Sequence, residues 1–354
     1  MSQNRNHKIL PIVITNWNGS HDTIECISSI FDSSYKNWHI VLIDNNSRTE
    51  DVEVLKSFLK GKEQISFIQN DTNLGFAKAN NQAISYCRQN ITNWDCCILL
   101  NNDTTIARDC LDHLYSHFKS GKVDLIAAKM IMYNNRNIMD NAGHRMLNTG
   151  EIVPIGHNDP VSQHKENANN IGPCGGACLL SRDMINNIGL FDDYFSTGYE
   201  DAELGLRSFI AGYKAEYCPE AIVYHKKGMA IKKVFDDEYA IRTQVNILYS
   251  YFKLMPLGTM LINVPFMVVR NFMIIVASIF LFRWKYASIM SKAILRFVTK
   301  ELGITKFNRR AFQSKTESIS SWKILRNQTF FLIYDIKRAW NYLIKRQDST
   351  LDAY

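Results

Sequence analysis

The chain has 354 residues, of which 46% are hydrophobic and 12% aromatic. This composition is sufficient for a packed core and excludes a globally disordered protein. The net charge is +7, but it is unevenly placed: residues 283–354 carry 15 Lys/Arg against 5 Asp/Glu, and the rest carry 26 against 29. The basic character belongs to the C-terminal part, which predicts an acidic partner surface, either nucleic acid or an anionic membrane leaflet.

The N-terminal segment 1–8 is polar and lacks the apolar stretch of a secretory signal. Eight cysteines are spread over a chain that is too long to need disulfide bonds. None of them is accompanied by a second ligand pair at metal-binding spacing, so we expect them to fill the core. Together these features predict a cytosolic protein with reduced cysteines.

Apolar runs and helical patterns alternate in the first hundred residues. The patterns predict strands at 9–14, 38–43, 65–68 and 98–100, and helices at 22–31, about 48–59 and 76–88. Strands that alternate with helices are typical of an α/β fold with a mainly parallel sheet and helices on both faces.

Polar clusters follow the predicted strands. The fourth strand runs directly into Asn101, Asn102 and Asp103, and the second strand runs into Asp44. Because ligands bind at the carboxyl ends of strands in open α/β sheets, we expect these side chains and Asn73 to converge at one rim. A carboxylate at such a rim can hold a divalent cation, which in turn can hold a diphosphate. The alternative is that these residues only cap the following helix.

Two common nucleotide-binding signatures are missing from the sequence. The first strand-to-helix turn, 15–19, has one glycine and therefore lacks the fingerprint of a dinucleotide-binding dehydrogenase. No Walker-type phosphate loop occurs either. Both classes of nucleotide-binding protein are therefore disfavoured.

The pattern loosens after residue 124. A strand fits 126–133, and the segment 134–170 is rich in Asn, Gly and His, which predicts mostly irregular structure with one hairpin. The segment 172–180 combines glycines with a strand. Glycines allow the backbone to approach a ligand closely, and a β-bulge is an equally good explanation.

Two later stretches carry candidate chemistry. Glu200 and Asp201 open a predicted helix, and His225 follows a strand predicted at 217–224. A carboxylate in a cleft can act as a general base, although acids are also common in a first turn because the helix dipole stabilises them. A lone histidine is more often structural than a metal ligand, but its place at a strand end favours the rim.

Seven motifs in this order resemble the family 2 glycosyltransferases of GT-A fold, most closely the bacterial rhamnosyltransferase-type branch. The motifs are Val13–Gly19, Ile43–Ser47, Asn73–Ala77, Leu99–Asp103, Gly176-Ala177, Glu200–Leu204 and His225. The resemblance implies an α/β fold of GT-A type, with a mixed, mainly parallel sheet flanked by helices. It also implies a catalytic domain at 1–230, followed at 231–354 by a helical, basic and membrane-associated region.

The resemblance assigns roles to these residues. Asp201 matches the catalytic base, with Glu200 beside it, and Asp103 and His225 match ligands of Mg or Mn. The donor-binding residues that it implies are Thr15, Asn16, Asn18, Asp44, Asn73, Gly75, Asn102 and Asp103. The acceptor-binding residues that it implies are Gly176, Ala177 and Tyr199.

The resemblance also implies an inverting mechanism. The acceptor hydroxyl attacks the anomeric carbon from the face opposite the nucleoside diphosphate, and Asp201 takes the proton. Asn101 stands where many relatives carry Asp, so the metal motif has one carboxylate rather than two. The QxxRW motif of processive synthases is missing, because Phe280 stands at the Gln position before Arg283-Trp284. We therefore expect transfer of one or a few sugars.

The C-terminal region opens with a strongly apolar stretch, 254–282, interrupted by Pro256, Pro265 and Arg270. The run before Arg270 has 16 uncharged residues, fewer than the about 20 that a spanning helix needs, and an arginine is costly in lipid. We therefore expect a re-entrant or interfacial helical hairpin on an anionic leaflet. The alternatives are a buried helical subdomain or a dimer interface.

The first hypothesis is a sugar transferase that uses a dTDP- or UDP-sugar. Its acceptor is a glycan or polyprenyl-linked glycan of surface polysaccharide assembly, and its location is peripheral or monotopic on the cytoplasmic side of the inner membrane. A homodimer is compatible with this hypothesis, and nucleic acid is not an expected partner. The second hypothesis is a catalytically inactive nucleotide-sugar-binding scaffold, supported by Asn101. The third, nucleic-acid binding through the basic region, lacks a recognised motif.

Overall fold

The computed structural model describes residues 8–121, 123–164, 170–196, 198–227 and 236–343. The chain forms two compact units. Unit 1 comprises Met1–His144, Pro154–Ser208 and Tyr213–Ala230, and unit 2 comprises Arg145–Val153, Phe209–Gly212 and Ile231–Tyr354. Two short segments before residue 230 therefore group with the C-terminal unit.

Unit 1 begins with alternating strands and helices. They are β1 (Leu10–Asn16), α1 (Ser20–Phe31), β2 (Trp38–Asp44), α2 (Thr49–Leu59), β3 (Ile65–Gln69), α3 (Gly75–Asn90), β4 (Cys96–Asn101), β5 (Thr104–Ile106) and α4 (Cys110–Ser120). The later elements up to residue 225 are β6 (Leu125–Met132), β7 (Met139–Asn141), β8 (His144–Leu147), β9 (Ile152–Pro154), a 3₁₀ turn (Val161–Gln163), β10 (Ala177–Ser181), α5 (Arg182–Ile188), α6 (Glu200–Ile210) and β11 (Ala215–His225). Most of β8 and β9 belongs to unit 2.

The main sheet has the strand order β3-β2-β1-β4-β10-β6-β11-β5, with β7 paired to β6. Strands β1 to β4 run parallel to one another, whereas β10 runs antiparallel to both of its neighbours, β4 and β6. The central strands are buried along their length and join α1 and α4 in one hydrophobic core. This architecture confirms the predicted α/β class with a mixed sheet flanked by helices.

The elements before residue 101 lie where the sequence predicts them, because long apolar runs and helical periodicity carry a strong signal. The segment 134–170 differs from the prediction of mostly irregular structure. It contains β7, β8 and β9, and β8 and β9 pair as the expected hairpin. Strands of three or four residues are too short to show a period of two, which explains why the sequence did not reveal them.

All eight cysteines are free, seven of them buried and Cys174 partly buried. This confirms that they fill the core.

Unit 2 is mostly helical. Its elements are α7 (Asp237–Leu254), α8 (Leu257–Phe280), α9 (Trp284–Arg296), a π-helix (Phe297–Glu301), α10 (Leu302–Gln313), α11 (Ser321–Arg326), β12 (Gln328–Thr329) and α12 (Phe331–Leu343). Strand β12 pairs in parallel with β8.

The apolar stretch 254–282 does not form a hairpin of its own, because α8 continues through Pro265 as one helix of 24 residues. Among the described residues, α8 is the one helix that is long and apolar enough to cross a membrane.

Candidate active site

Asn16, at the end of β1, connects two neighbouring strand ends. Its Nδ2 donates to Asp44 Oδ1 at 2.8 Å, and its Oδ1 accepts from Asn102 Nδ2 at 3.2 Å and from Thr23 Oγ1 at 2.8 Å. Strands β1, β2 and β4 are adjacent and parallel, so their last residues meet at the same rim. Asn16 thus joins Asp44 and Asn102, which follow two of the strands that were predicted to end at one rim.

Asp44 is fully buried beneath this rim. One of its oxygens accepts from Asn16, and the other accepts from the backbone N–H of Ser47 at 3.1 Å. The Ser47 hydroxyl also accepts from the backbone N–H of Asn18 at 2.8 Å. In this arrangement Asp44 fixes the loops that follow β1 and β2, and its direct contact with a nucleotide stays a prediction. Thr15, half-buried beside Asn16, has a hydroxyl that finds no hydrogen-bond partner in the described ranges of the chain.

Asn45 organises the loop that leads into α3, a role that the sequence analysis missed. Its Nδ2 donates to Asn73 Oδ1 at 2.8 Å, and its Oδ1 accepts from the backbone N–H of Leu74 at 3.0 Å. Asn73 also accepts from the backbone N–H of Gly75 at 2.9 Å. The two Asn residues that follow β2 are the feature of the sequence that could have indicated this role.

Gly75 has a structural reason to be glycine. Its φ is +79°, and a Cβ atom at this position would lie 2.4 Å from the carbonyl oxygen of Ser196. The next residue, Phe76, donates its backbone N–H to the same oxygen at 2.9 Å. The predicted donor loop is thus packed against the segment that leads into α6, and Gly75 permits this close approach.

The two predicted metal ligands lie together. His225 Nε2 is 3.3 Å from Asp103 Oδ1, and both side chains are about nine-tenths buried. The antiparallel pairing of β11 with β5 produces this contact, because it places His225 opposite Thr104. Nε2 has no hydrogen-bond partner other than this carboxylate among the described residues.

Asp140 holds the other side of His225 and was not predicted. Its Oδ2 lies 2.7 Å from His225 Nδ1, and its Oδ1 lies 3.1 Å from Lys227 Nζ and 3.4 Å from His157 Nδ1. It belongs to β7, in the segment that the sequence left mostly irregular. A carboxylate on the far nitrogen of an imidazole fixes the ring and directs the other nitrogen outward, an arrangement typical of metal-binding histidines.

The charges in this cluster favour the ionised forms of both His225 and Asp140. Burial opposes ionisation of His225, but the carboxylates of Asp103 and Asp140 more than offset it and raise the pKa of His225 to about 10. Burial likewise opposes ionisation of Asp140, but hydrogen bonds from His157 and His225 hold the pKa of that carboxyl well below its usual value. An imidazole flanked by two carboxylates attracts cations, whether protons or metal ions.

The donor set fits a divalent cation bound by one carboxylate oxygen and one imidazole nitrogen, ligands that Mn²⁺ accepts readily. Within the described part of the chain no group of three or more His, Cys, Asp or Glu is arranged to hold a metal ion. The assignment of Asp103 and His225 as metal ligands stays a prediction.

Replacing Asp140 with Asn is expected to weaken Mn²⁺ binding about 10- to 100-fold, because the carboxylate that orients His225 is lost. The measurement is an electron paramagnetic resonance titration of free Mn²⁺, which does not depend on turnover. Asp95→Asn is the matched control. Asp95 is also ion-paired, with Lys8 and Lys119, but it lies before the first residue of β4, whereas Asp103 follows the last. Equal Mn²⁺ affinity in the two variants would contradict this role.

Asp201 lies in the first turn of α6, with both oxygens oriented by the backbone. Its Oδ2 accepts from the N–H of Gly175 at 2.9 Å, and its Oδ1 accepts from the N–H of Ala202 at 2.7 Å. The carbonyl of Gly176 in turn accepts from the N–H of Asn101 at 2.9 Å. This chain of contacts connects the predicted base to the end of β4, two residues before the predicted metal ligand Asp103.

The neighbouring Glu200 differs from Asp201 in its environment. Its side chain is buried, and one oxygen, Oε2, has no hydrogen-bond partner within the part of the chain that the structure describes. Burial, together with the charge of Asp201, raises the pKa of Glu200 to about 8. At neutral pH Glu200 therefore holds its proton and cannot accept another, which leaves Asp201 as the candidate base.

His144 is a second group near Asp201 that the sequence analysis missed. Burial lowers the pKa of His144, and the charge of Asp201 only partly opposes this. The imidazole is therefore neutral at physiological pH.

The predicted acceptor residues occupy tight positions. A Cβ atom at Gly176 would lie 3.0 Å from Met130 Cε and 3.1 Å from Asn101 Nδ2, and Ala177 is buried in β10. Tyr199 has a φ of +77°, an unusual conformation for a bulky residue, immediately before α6. Strained backbone of this kind is concentrated at functional sites. Contact of these residues with an acceptor stays a prediction.

Comparison with known proteins agrees with this architecture. The model of "Glycosyl transferase family 2" matches residues 12–189. GalNAc-T7, solved with UDP, GalNAc and Mn²⁺, superposes with a TM-score of 0.53 at 16% identity, over 70% of this chain and 48% of that one. The mannosyltransferase PcManGT of Pyrobaculum calidifontis, in complex with GDP-Man and Mn²⁺, superposes with a TM-score of 0.50 at 13% identity, over 87% and 85%.

Two curated relatives match by sequence. Glycosyltransferase GlyG of Streptococcus pneumoniae serotype 4 is 20% identical over 128 residues, 36% of this chain and 40% of that protein. The putative colanic acid biosynthesis glycosyl transferase WcaA of Escherichia coli K12 is 30% identical over 82 residues, 23% of this chain and 29% of that protein. The chain thus spans less than half the length of these relatives.

The fold, with polar residues at the rim of a mixed sheet, is that of the GT-A glycosyltransferases. The chain belongs to glycosyl transferase family 2, since the family model covers half of its length.

Proposed function

We propose that the protein is an inverting glycosyltransferase that moves rhamnose or a similar hexose from a dTDP- or UDP-sugar to a glycan hydroxyl. The observation that carries the proposal is the position of Asp201, whose oriented carboxylate is tied through Gly175 and Gly176 to the strand end that leads to Asp103. A base and a diphosphate-binding group on the same rim are what inverting sugar transfer requires.

In the proposed reaction an acceptor hydroxyl attacks the anomeric carbon of the donor. A new C–O bond forms on one face while the bond between that carbon and the diphosphate oxygen breaks on the other. The hydroxyl proton passes to the Asp201 carboxylate, and the nucleoside diphosphate leaves with the bonding electrons. Glu200 stays protonated beside this base, so a second negative charge does not compete with Asp201 for the acceptor.

Asp103 and His225 would hold Mg or Mn at this rim. When bound there, the cation would neutralise charge on the departing diphosphate. The complexes of the two structural neighbours with Mn²⁺ are consistent with this choice.

Donor binding is proposed for the polar residues at the ends of β1, β2 and β4 and in the loop before α3. They are Thr15, Asn16, Asn18, Asp44, Asn73, Gly75, Asn102 and Asp103. The hydrogen bonds of Asn16 and Asn45 hold these strand ends in fixed positions before a donor arrives. The neighbours' complexes with UDP and GDP-Man support a nucleotide-sugar donor.

The proposed acceptor is a glycan or polyprenyl-linked glycan used in surface polysaccharide assembly, bound near Gly176, Ala177 and Tyr199. The name of the colanic acid relative supports this acceptor class. The exposed apolar helix α8 supports a location at the inner face of the membrane, where such lipid-linked acceptors occur.

The test is a donor screen with the purified full chain. Thermal stabilisation by UDP-, dTDP- and GDP-sugars is measured with Mn²⁺ or Mg²⁺ and with chelator, followed by product analysis for anomeric configuration. Stabilisation by one donor that chelator abolishes, and a product of inverted configuration, are expected. A product of retained configuration would contradict the inverting mechanism. Donor binding without turnover on any acceptor would favour the inactive scaffold, whose support is Asn101 in place of a carboxylate.

Glu200 also predicts a pH dependence of stability. Its pKa is raised to about 8 in the fold from an ordinary value of 4.5, so between these values the folded state keeps a proton that the unfolded state has lost. Stability from this group is therefore complete below pH 4.5 and is lost as the pH rises through 8. We expect Glu200→Gln to flatten this decline in urea unfolding, while Glu53→Gln, at an exposed position on α2, leaves it unchanged. Parallel declines in both variants would contradict the prediction.

A further inference from the structure

Helix α8 has an inverted distribution of polarity. Its buried side chains form one stripe along the helix, namely Thr259, Asn263, Met267, Arg270 and Ser278. Four of these five are polar. Its exposed side chains include large apolar ones: Leu257 69%, Leu261 80%, Phe272 67% and Phe280 78%. A helix on the surface of a water-soluble domain has the opposite arrangement, because its apolar stripe faces the core.

Arg270 fixes this orientation. Its guanidinium makes two hydrogen bonds to the carboxylate of Asp335 on α12, at 2.8 and 2.9 Å, and also pairs with Glu151 in the turn between β8 and β9. The arginine is 6% exposed. Turning the helix over would leave a buried charge without partners, which is strongly destabilising. The apolar side of α8 therefore stays directed away from the other elements of unit 2.

Helix α12 extends the same exposed face. Asp335 is on its inner side, whereas Ile333 and Ile336 are 66% and 60% exposed. Phe266 of α8 lies against Phe330, just before α12, with a ring distance of 6.0 Å, and both rings are partly exposed. We define the apolar face as the exposed apolar side chains of α8 and α12, together with Leu281 and Phe282 of the turn that follows α8 and Trp284 at the start of α9.

The apolar face is not explained by burial within the protein. In the most apolar window of α8, 17% of the residues are buried, whereas a core helix would be mostly buried. Exposed apolar surface of this extent marks a binding surface. Exposed cations occur in the same unit, at Lys292, Lys300, Lys306 and Arg310, and the region 283–354 has 15 basic against 5 acidic residues. An apolar surface accompanied by excess positive charge is complementary to an anionic lipid leaflet.

A single spanning helix does not fit the same contacts. The buried stripe runs from Thr259 to Ser278, nearly the full length of α8. The elements packed on it, including Asp335 and Glu151 with their charges, would have to enter the hydrocarbon core together with the helix. Charged groups in that core are costly. An orientation parallel to the membrane surface immerses the apolar face alone.

We propose that unit 2 is a monotopic membrane-binding module, in which the apolar face enters one leaflet containing anionic phospholipids. The inference rests on the membrane association proposed above and makes it specific to a surface and a mode of insertion. It does not depend on the sugar or the nucleotide that the catalytic unit uses.

Vesicle flotation of the full chain tests the surface. We expect binding to phosphatidylcholine–phosphatidylglycerol vesicles, weaker binding to phosphatidylcholine alone, and a decrease as salt is raised. Phe272→Ser/Phe280→Ser should lower the bound fraction about tenfold or more. Val54→Ser is the control. It also replaces an exposed apolar side chain with Ser, but on α2 in unit 1, where Val54 is 38% exposed. Circular dichroism confirms that the variants fold.

Fluorescence quenching by brominated lipids tests the mode of insertion. Leu261→Trp and Phe272→Trp are compared with the parent chain, using lipids brominated near the headgroup or deep in the acyl chain. A helix parallel to the surface gives both positions the same shallow profile. A spanning helix would separate their depths by about 16 Å, and this result would overturn the monotopic mode.

The inference is also overturned if the chain binds no vesicles, or if the Ser variant binds as well as the parent. It is equally overturned if the chain is a dimer in solution that the Ser variant dissociates without any lipid binding, because the face is then a contact between two copies. Donor-induced thermal stabilisation of the parent chain is recorded in parallel. A parent chain that is stabilised by a donor but binds no vesicles separates failure of this inference from failure of the proposed glycosyl transfer.

Discussion

Replacing Asp201 with Asn is expected to lower kcat for sugar transfer by about 10²- to 10⁴-fold, the usual contribution of a positioned general base. The amide cannot take the proton of the acceptor hydroxyl. Donor binding should change little, because Asp201 contacts the backbone of Gly175 and Ala202 rather than the strand ends proposed for the nucleotide. Steady-state kinetics with the donor identified in the screen, together with donor titration by calorimetry, measures both quantities.

The control for this variant is Asp183→Asn. Asp183 occupies the second position of α5, as Asp201 does in α6, but it is exposed and lies at the other end of β10 from the rim. Asp201→Asn should also lower the free energy of unfolding by about 1 kcal/mol, because an Asn nitrogen cannot accept one of the two backbone hydrogen bonds. Full activity in Asp201→Asn would mean that another residue is the base. A loss of donor binding equal to the loss of kcat would mean that Asp201 binds the donor instead.

Replacing Asp103 with Asn is expected to remove metal-dependent donor binding and to lower kcat/KM by at least about 10²-fold. A cation at this rim stabilises several kcal/mol of developing charge, and Asp103 is the one carboxylate of its motif, since Asn101 and Asn102 precede it. His225→Ala should have a similar effect, because it removes the second ligand. The measurement is nucleoside diphosphate binding with Mn²⁺ and with chelator.

Asp109→Asn, an exposed carboxylate just before α4, serves as the matched control and should bind the donor as the parent does. If the parent binds the nucleotide equally with and without chelator, the metal assignment is wrong and protein groups hold the diphosphate. Parent-like binding and turnover in Asp103→Asn would lead to the same conclusion.

Much of unit 1 follows from local pattern. Buried parallel strands are continuous apolar runs, and a polar residue at each strand end marks where the run leaves the sheet. Asp44, Asn73 and Asp103 could therefore be expected at one rim from the pattern of the sequence. The family resemblance added the roles of base and metal ligands, which no single stretch of sequence specifies.

The partners of these residues could not be predicted in the same way. Asp140 lies 85 residues before His225, in a segment without periodicity, and the pairing of β7 with β6 and of β6 with β11 brings them together. The raised pKa of Glu200 likewise depends on burial, which the sequence does not reveal.

The sequence by itself determined the α/β class, the sheet rim and the separation of a basic, apolar C-terminal region, because these follow from composition and local periodicity. The tertiary structure decided which carboxylate keeps its proton, which one orients His225 and which side of α8 is exposed. Arg270 illustrates the reason. In the sequence it is a charge that interrupts an apolar run, and in the fold its pairing with Asp335 and Glu151 directs the apolar side of the helix outward.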